Sequence, residues 1–146
     1  MSPQDAPAAA RPLILLVDDD QDFLEMMRHV LEAAGYRVAC AAEPSAALEA
    51  IGREKPSLLV TDLMMRALDS GFSLARQVKA DERLRDIPVI VVTAIAARLG
   101  YDFAPRQAGD LATMGADAFL EKPVSPAKLL AEIARLVRRG AVEDKP

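Results

Sequence analysis

The sequence predicts an α/β fold in which a parallel sheet lies between two layers of helices. Short runs of Leu, Ile and Val alternate with segments of helical apolar spacing, and the alternation repeats five times within 146 residues. The runs LILLV (13–17), LLV (58–60), VIVV (89–92) and the weaker AFL (118–120) are too short for helices. They also lack the alternation of a half-exposed strand, so they suit strands covered on both faces. YRVAC (36–40) adds a fifth strand, less apolar and therefore placed at an edge.

The helices follow from spacing and from their end signals. Phe23, Met26, Met27, Val30, Leu31 and Ala34 recur at helical intervals, and Gly35 stands where a stop belongs. Met26 and Met27 are read together as core packing, and His29 as a surface residue on the polar side. Residues 45–53 carry Ala47, Leu48 and Ile51 on one side, and 73–80 carry Leu74, Ala75 and Val78. Leu129, Leu130, Ile133, Leu136 and Val137 mark the last helix. There Ser125 offers an N-cap, Pro126 suits the first turn, and Arg135, Arg138 and Arg139 lie near the negative end of the dipole.

Composition narrows the function classes. The chain is 51% hydrophobic, enough for the core of one domain and too short for two ordinary ones. Residues 1–11 read as a disordered arm, 12–139 as the domain and 140–146 as a tail. No apolar stretch approaches the ~20 residues of a membrane span, and the first residues lack the order of a signal peptide, so a cytoplasmic protein without membrane contact is expected. Cys40 is the single cysteine, which removes intramolecular disulfides and cysteine-based zinc sites. A net charge of -4 with scattered Lys and Arg argues against direct nucleic-acid binding.

In open parallel sheets, ligands bind beyond the carboxyl ends of the strands. With the five strands counted in chain order, the first is followed by Asp18, Asp19 and Asp20, the third by Thr61 and Asp62, the fourth by Thr93 and the fifth by Glu121, Lys122 and Pro123. Each has an ordinary role when taken alone: an Asp caps a helix, a Thr packs in a strand, a Lys before Pro is solvated. Together they set carboxylates, a hydroxyl and an ammonium on one rim. Crowded carboxylates resist ionisation unless a cation joins them, and oxygen-only ligands favour Mg²⁺ or a similar hard ion. A hydroxyl and an ammonium can bind the oxygens of a transferred phosphoryl group, which makes phosphoryl transfer to a carboxylate the matching chemistry. Asp62, alone after its strand, is the natural nucleophile. Asp20 and Asp22 are placed instead at the start of the first helix, near its positive dipole end.

Four ordered motifs, ILLVDDD (14–20), LLVTDLMM (58–65), PVIVVTA (88–94) and GADAFLEKP (115–123), resemble those of response-regulator receiver domains, the phospho-acceptor half of two-component signalling. The resemblance spans roughly 12–139 and implies a doubly wound, flavodoxin-like sheet of order 2-1-3-4-5. It implies Asp62 as phospho-acceptor and metal ligand, with Asp18, Asp19 and the backbone carbonyl of Met64 completing a site for Mg²⁺ (or Mn²⁺). Thr93 and Lys122 then bind the phosphoryl group, the Lys122–Pro123 bond is cis, and Thr93 and Phe119 form the switch. The implied partners are a histidine kinase or phosphotransfer protein and an unnamed downstream protein. Phosphorylation-driven homodimerisation stays open, and the chain works alone or as a fragment of something longer. No turnover enzyme is implied beyond self-phosphorylation and slow autodephosphorylation, since Met64 and Ile95 are apolar where fast-hydrolysing relatives place polar groups.

Two departures from the family pattern stand out. DLMMRALDSGF puts Arg66 where a proline is usual and lengthens the approach to Gly71 by Ser70. Between Thr93 and Lys122 the chain is several residues longer than the family needs, and Gly100, Pro105 and Gly109 interrupt helical continuity. That segment, about 95–112, is read either as a partner surface bearing Tyr101 and Phe103 or as a plain long loop. Two other functions are kept beside the switch. A phosphorylation-independent scaffold gives no reason for Asp19, Asp62, Thr93 and Lys122 together, and an aspartate-nucleophile phosphatase would put its nucleophile after the first strand.

Overall fold

Neighbouring residues on a strand point to opposite faces, and strands that are apolar throughout need cover on both. The computed structural model describes residues 11–62, 70–93 and 116–143. Its elements are β1 (Leu13–Val17), α1 (Gln21–Ala33), β2 (Arg37–Ala41), α2 (Pro44–Arg53), β3 (Leu58–Asp62), α3 (Ser70–Ala80), β4 (Val89–Thr93), β5 (Ala118–Glu121) and α4 (Pro126–Glu143). The strands form one parallel sheet of order β2-β1-β3-β4-β5, as the resemblance implied. β2 is an edge, in agreement with its weaker hydrophobicity.

The two faces hold separate cores. Ile14 and Leu16 of β1, Leu58 and Val60 of β3, and Ile90 and Val92 of β4 pack with α1 through Leu24, Met27 and Leu31, and with α4 through Leu129, Ile133 and Leu136. The alternate residues Leu15, Val17, Leu59, Val89 and Val91 meet Ala47 and Ile51 of α2 and Leu74, Ala75 and Val78 of α3. Burying each of the larger side chains contributes about 1.5–3 kcal/mol.

Helix ends obey the local chemistry read from the sequence. Asp20 is the N-cap of α1, its carboxylate accepting from the N–H groups of Asp22 and Phe23 at 3.1 and 3.2 Å. Past the other end, Gly35 adopts φ 99°, which lets its N–H and that of Tyr36 turn back to the carbonyls of Glu32 and Leu31. The Ser125 hydroxyl accepts from the Lys128 N–H at 3.4 Å at the start of α4.

Three expectations shift. Met26 is not core: it is 52% exposed, whereas Leu24 is buried, so the apolar stripe centres on Leu24, Met27 and Leu31. α3 begins at Ser70, before the expected residue 73. α4 continues through Gly140 to Glu143, so the first residues of the segment read as a tail are helical. Residues 1–10 of the arm, the loop 63–69 with Met64 and Arg66, and residues 94–115, which contain the long segment with Ile95, Tyr101 and Phe103, lie outside the described residues.

At the amino end of the sheet, Lys79 and Asp117 join elements far apart in sequence. The Lys79 ammonium donates to Asp117 Oδ2 at 2.9 Å and to the carbonyls of Ile87 and Arg85 at 2.8 and 3.3 Å. Asp117 Oδ2 also accepts from the Val89 N–H at 2.8 Å, and the Asp117 N–H donates to Val89 O at 2.7 Å. These bonds set where β5 enters beside β4.

Candidate functional site

β1 and β3 are neighbours, with Val17 opposite Thr61, so the residues that leave their carboxyl ends must meet. Asp18 and Asp62 do so in near-complete burial, 1% and 3% exposed. The Asp18 N–H donates to Ala41 O at 3.1 Å, which extends β1 one step towards β2 and aims the carboxylate inward. Asp18 Oδ1 accepts from the Asp20 N–H at 2.9 Å. Asp19, half-buried, supplies a third carboxylate, and one oxygen from each of Asp18, Asp19 and Asp62 lies within 4.8 Å of the others.

Lys122 closes the site from β5. Its ammonium donates to Asp18 Oδ2 at 2.7 Å and to Asp62 Oδ2 at 3.3 Å. The Lys122–Pro123 peptide is cis. Burial pushes the Asp18 carboxyl above the ordinary carboxylate range, with repulsion from Asp62 adding to it, against the opposing hydrogen bonds from Lys122 and the Asp20 N–H. For Lys122, burial disfavours the ammonium, but its hydrogen bond to Asp18 and the charges of Asp18 and Asp62 outweigh that and raise its pKa. Among the described residues, three carboxylates thus share one ammonium.

That donor set fits a hard divalent cation. It offers oxygens only, it carries excess negative charge, and its spacing can be spanned by a single ion directly or through one of its waters.

The other residues named from the sequence are placed unevenly. Thr93 is the last residue of β4, in register with Glu121 and so one step from Lys122 along the neighbouring strand. Phe119 is half-buried on β5, on the face shared with α2 and α3. Met64 falls outside the described residues. One neighbour of the site was not foreseen: the Lys122 ammonium lies 4.4 Å from the centre of the Phe23 ring. Phe23 was read as part of a core stripe, and its place one turn into the helix that follows the acidic run is the signal that it also borders the rim.

Comparison with known proteins agrees with this geometry. The response regulator receiver domain matches residues 14–134. The chain belongs to that family. Among curated relatives of this receiver domain, the transcriptional regulatory protein GltR of Pseudomonas aeruginosa is 40% identical over 127 residues, 87% of this chain and 49% of that protein. The phosphate regulon transcriptional regulatory protein PhoB of the same species is 37% identical over 131 residues, 90% of this chain and 54% of its own length. The chain therefore spans about half the length of these relatives. Among solved structures, a putative response regulator from Chloroflexus aurantiacus superposes with a TM-score of 0.74 at 28% identity, covering 87% of this chain and 98% of the other. The chemotaxis response regulator CheY4 of Vibrio cholerae gives 0.72 at 26%, covering 86% and 98%.

Proposed function

We propose that this receiver domain is a phosphorylation-controlled switch whose acceptor is Asp62. The observation that carries the reading is the buried pairing of Lys122 with both Asp18 and Asp62. A carboxylate that only stabilised the fold would need one partner, whereas here an ammonium is shared beside a surplus of acid. Asp18, Asp19 and Asp62, with the Met64 carbonyl, would hold Mg²⁺ or Mn²⁺. When bound, that ion offsets the carboxylate charge and takes up phosphoryl oxygens.

An Asp62 oxygen attacks the phosphorus of a phosphohistidine on a histidine kinase or phosphotransfer protein. The P–N bond breaks, the imidazole leaves with the bonding pair and takes a proton, and an acyl phosphate remains. Lys122 neutralises charge on the phosphoryl oxygens and Thr93 donates a hydroxyl hydrogen bond to one of them. Thr93 and Phe119 then relay the change to an outer face. Such relay needs only a differential interaction between two states, typically a few kcal/mol. The output is a protein contact in the cytoplasm rather than direct nucleic-acid binding. Among the described residues no helix is long and apolar enough to cross a membrane.

Acetyl phosphate with Mg²⁺ tests this. Stoichiometric labelling that is lost in Asp62→Asn is the expected result. Absence of label would leave the scaffold, and turnover of varied phosphate esters would leave the phosphatase. Affinity capture with and without beryllofluoride then finds the partner that reads the switch.

A further inference from the structure

The contact between Lys122 and Phe23 has a chemical consequence of its own. An ammonium carries three N–H bonds, and two of them are aimed at Asp18 and Asp62. The Phe23 ring, 4.4 Å from the nitrogen, covers a further side. Phe23 is only half-buried, and it packs against the core shared by α1 and α4. A leucine would fill that place as well as far as the core is concerned. It would also take water from the ammonium and return no attraction, whereas the negative face of an aromatic ring restores part of what desolvation costs.

The position of the ring is itself held by the acidic run. Asp18 accepts from the Asp20 N–H, Asp20 caps the Phe23 N–H, the Phe23 ring meets Lys122, and Lys122 returns to Asp18. The contacts form a closed circuit. We propose that Phe23 is a positioning residue for Lys122, holding its ammonium at the acceptor while its hydrogen-bond partner changes from the Asp62 carboxylate to a phosphoryl oxygen. A hydrogen bond weakens steeply when its angle opens, but attraction to a ring face tolerates sideways displacement. The ring therefore keeps the ammonium in place through the exchange. This inference rests on the phospho-acceptor reading of Asp62.

The test replaces Phe23 with phenylalanines carrying one, two and three ring fluorines, which keep shape and drain the ring of its negative face. Initial rates of labelling by acetyl phosphate with Mg²⁺ are measured beside wild type and Phe23→Leu. The rate is expected to fall stepwise along the series, by about three- to tenfold in total, with Phe23→Leu at the low end. A flat series, with wild type labelled normally, would overturn the positioning role and leave the switch intact. If wild type takes no label, the phospho-acceptor reading fails instead. The contact is then decided by urea unfolding of Phe23→Leu, Lys122→Met and the double variant: non-additive midpoints support it and additive ones overturn it.

Discussion

Lys122 and Lys79 each draw together carboxylates and strands at one end of the same sheet, and the two clusters differ in balance. At the amino end, Lys79 meets Asp117 and two carbonyls, and Asp117 in turn accepts from a backbone N–H. One cation faces one anion, and both remain about a quarter exposed. At the carboxyl end, Lys122 is 16% exposed and faces two carboxylates that are almost fully buried, with Asp19 close by. Among the described residues, the first arrangement is balanced in charge. Among the described residues, the second sets more carboxylates than cations together. Similar residue types thus serve register at one rim and, on the proposed function, reactivity at the other, and charge balance separates the two.

Several measurements would break or sharpen that contrast. The largest effect is expected from Lys122→Met, which removes the donor to the phosphoryl oxygens: initial labelling by acetyl phosphate should fall by about 10²–10³-fold. Unchanged labelling would place the reactive charge elsewhere. Next, Mg²⁺ should stabilise wild type by about 2.7 kcal/mol at a hundredfold excess over its dissociation constant, read by urea unfolding. That gain should shrink sharply in Asp19→Asn and persist in Asp117→Asn. Asp117→Ala leaves Lys79 and the Val89 N–H without this acceptor and should cost about 2 kcal/mol of stability. Added Mg²⁺ should not rescue that cost selectively, and labelling of the folded fraction should stay within about threefold of wild type. The smallest effect belongs to Asp20→Ala, about 1 kcal/mol for the lost cap of α1.

The sequence made the carboxyl rim more legible than the amino one, for a physical reason. Asp18, Asp19, Asp62, Thr93 and Lys122 each come at the end of an apolar run, so the strand ends that bring them to one rim also mark them in the sequence. Lys79 and Asp117 are 38 residues apart, and neither has a local pattern that names the other as partner. Contacts made only by topology stay silent in one dimension, and the same holds for Phe23 and Lys122. Met26 failed differently. Helical spacing defines an apolar stripe, but where the stripe is centred depends on what covers its flanks, and the core of this face takes Leu24 rather than Met26. The helix boundaries moved because Ser70 and Gly140 are poor helix formers by propensity that nonetheless lie within helices here.

The distance along the chain between the partners at the reactive rim bears on how the molecule assembles. Lys122 reaches Asp18 across 104 residues and Asp62 across 60. Pairings over such separations form late, because the chain entropy they consume must be met before contacts return anything. A chain that has joined only β1, β2 and β3 already holds three carboxylates together before Lys122 arrives. Their mutual repulsion opposes this intermediate until β5 docks, so the edge strand carries an electrostatic as well as a hydrogen-bonding contribution to closure. Divalent cations should accordingly speed the final folding step, acting as a temporary stand-in for a lysine that arrives with the last strand of the sheet.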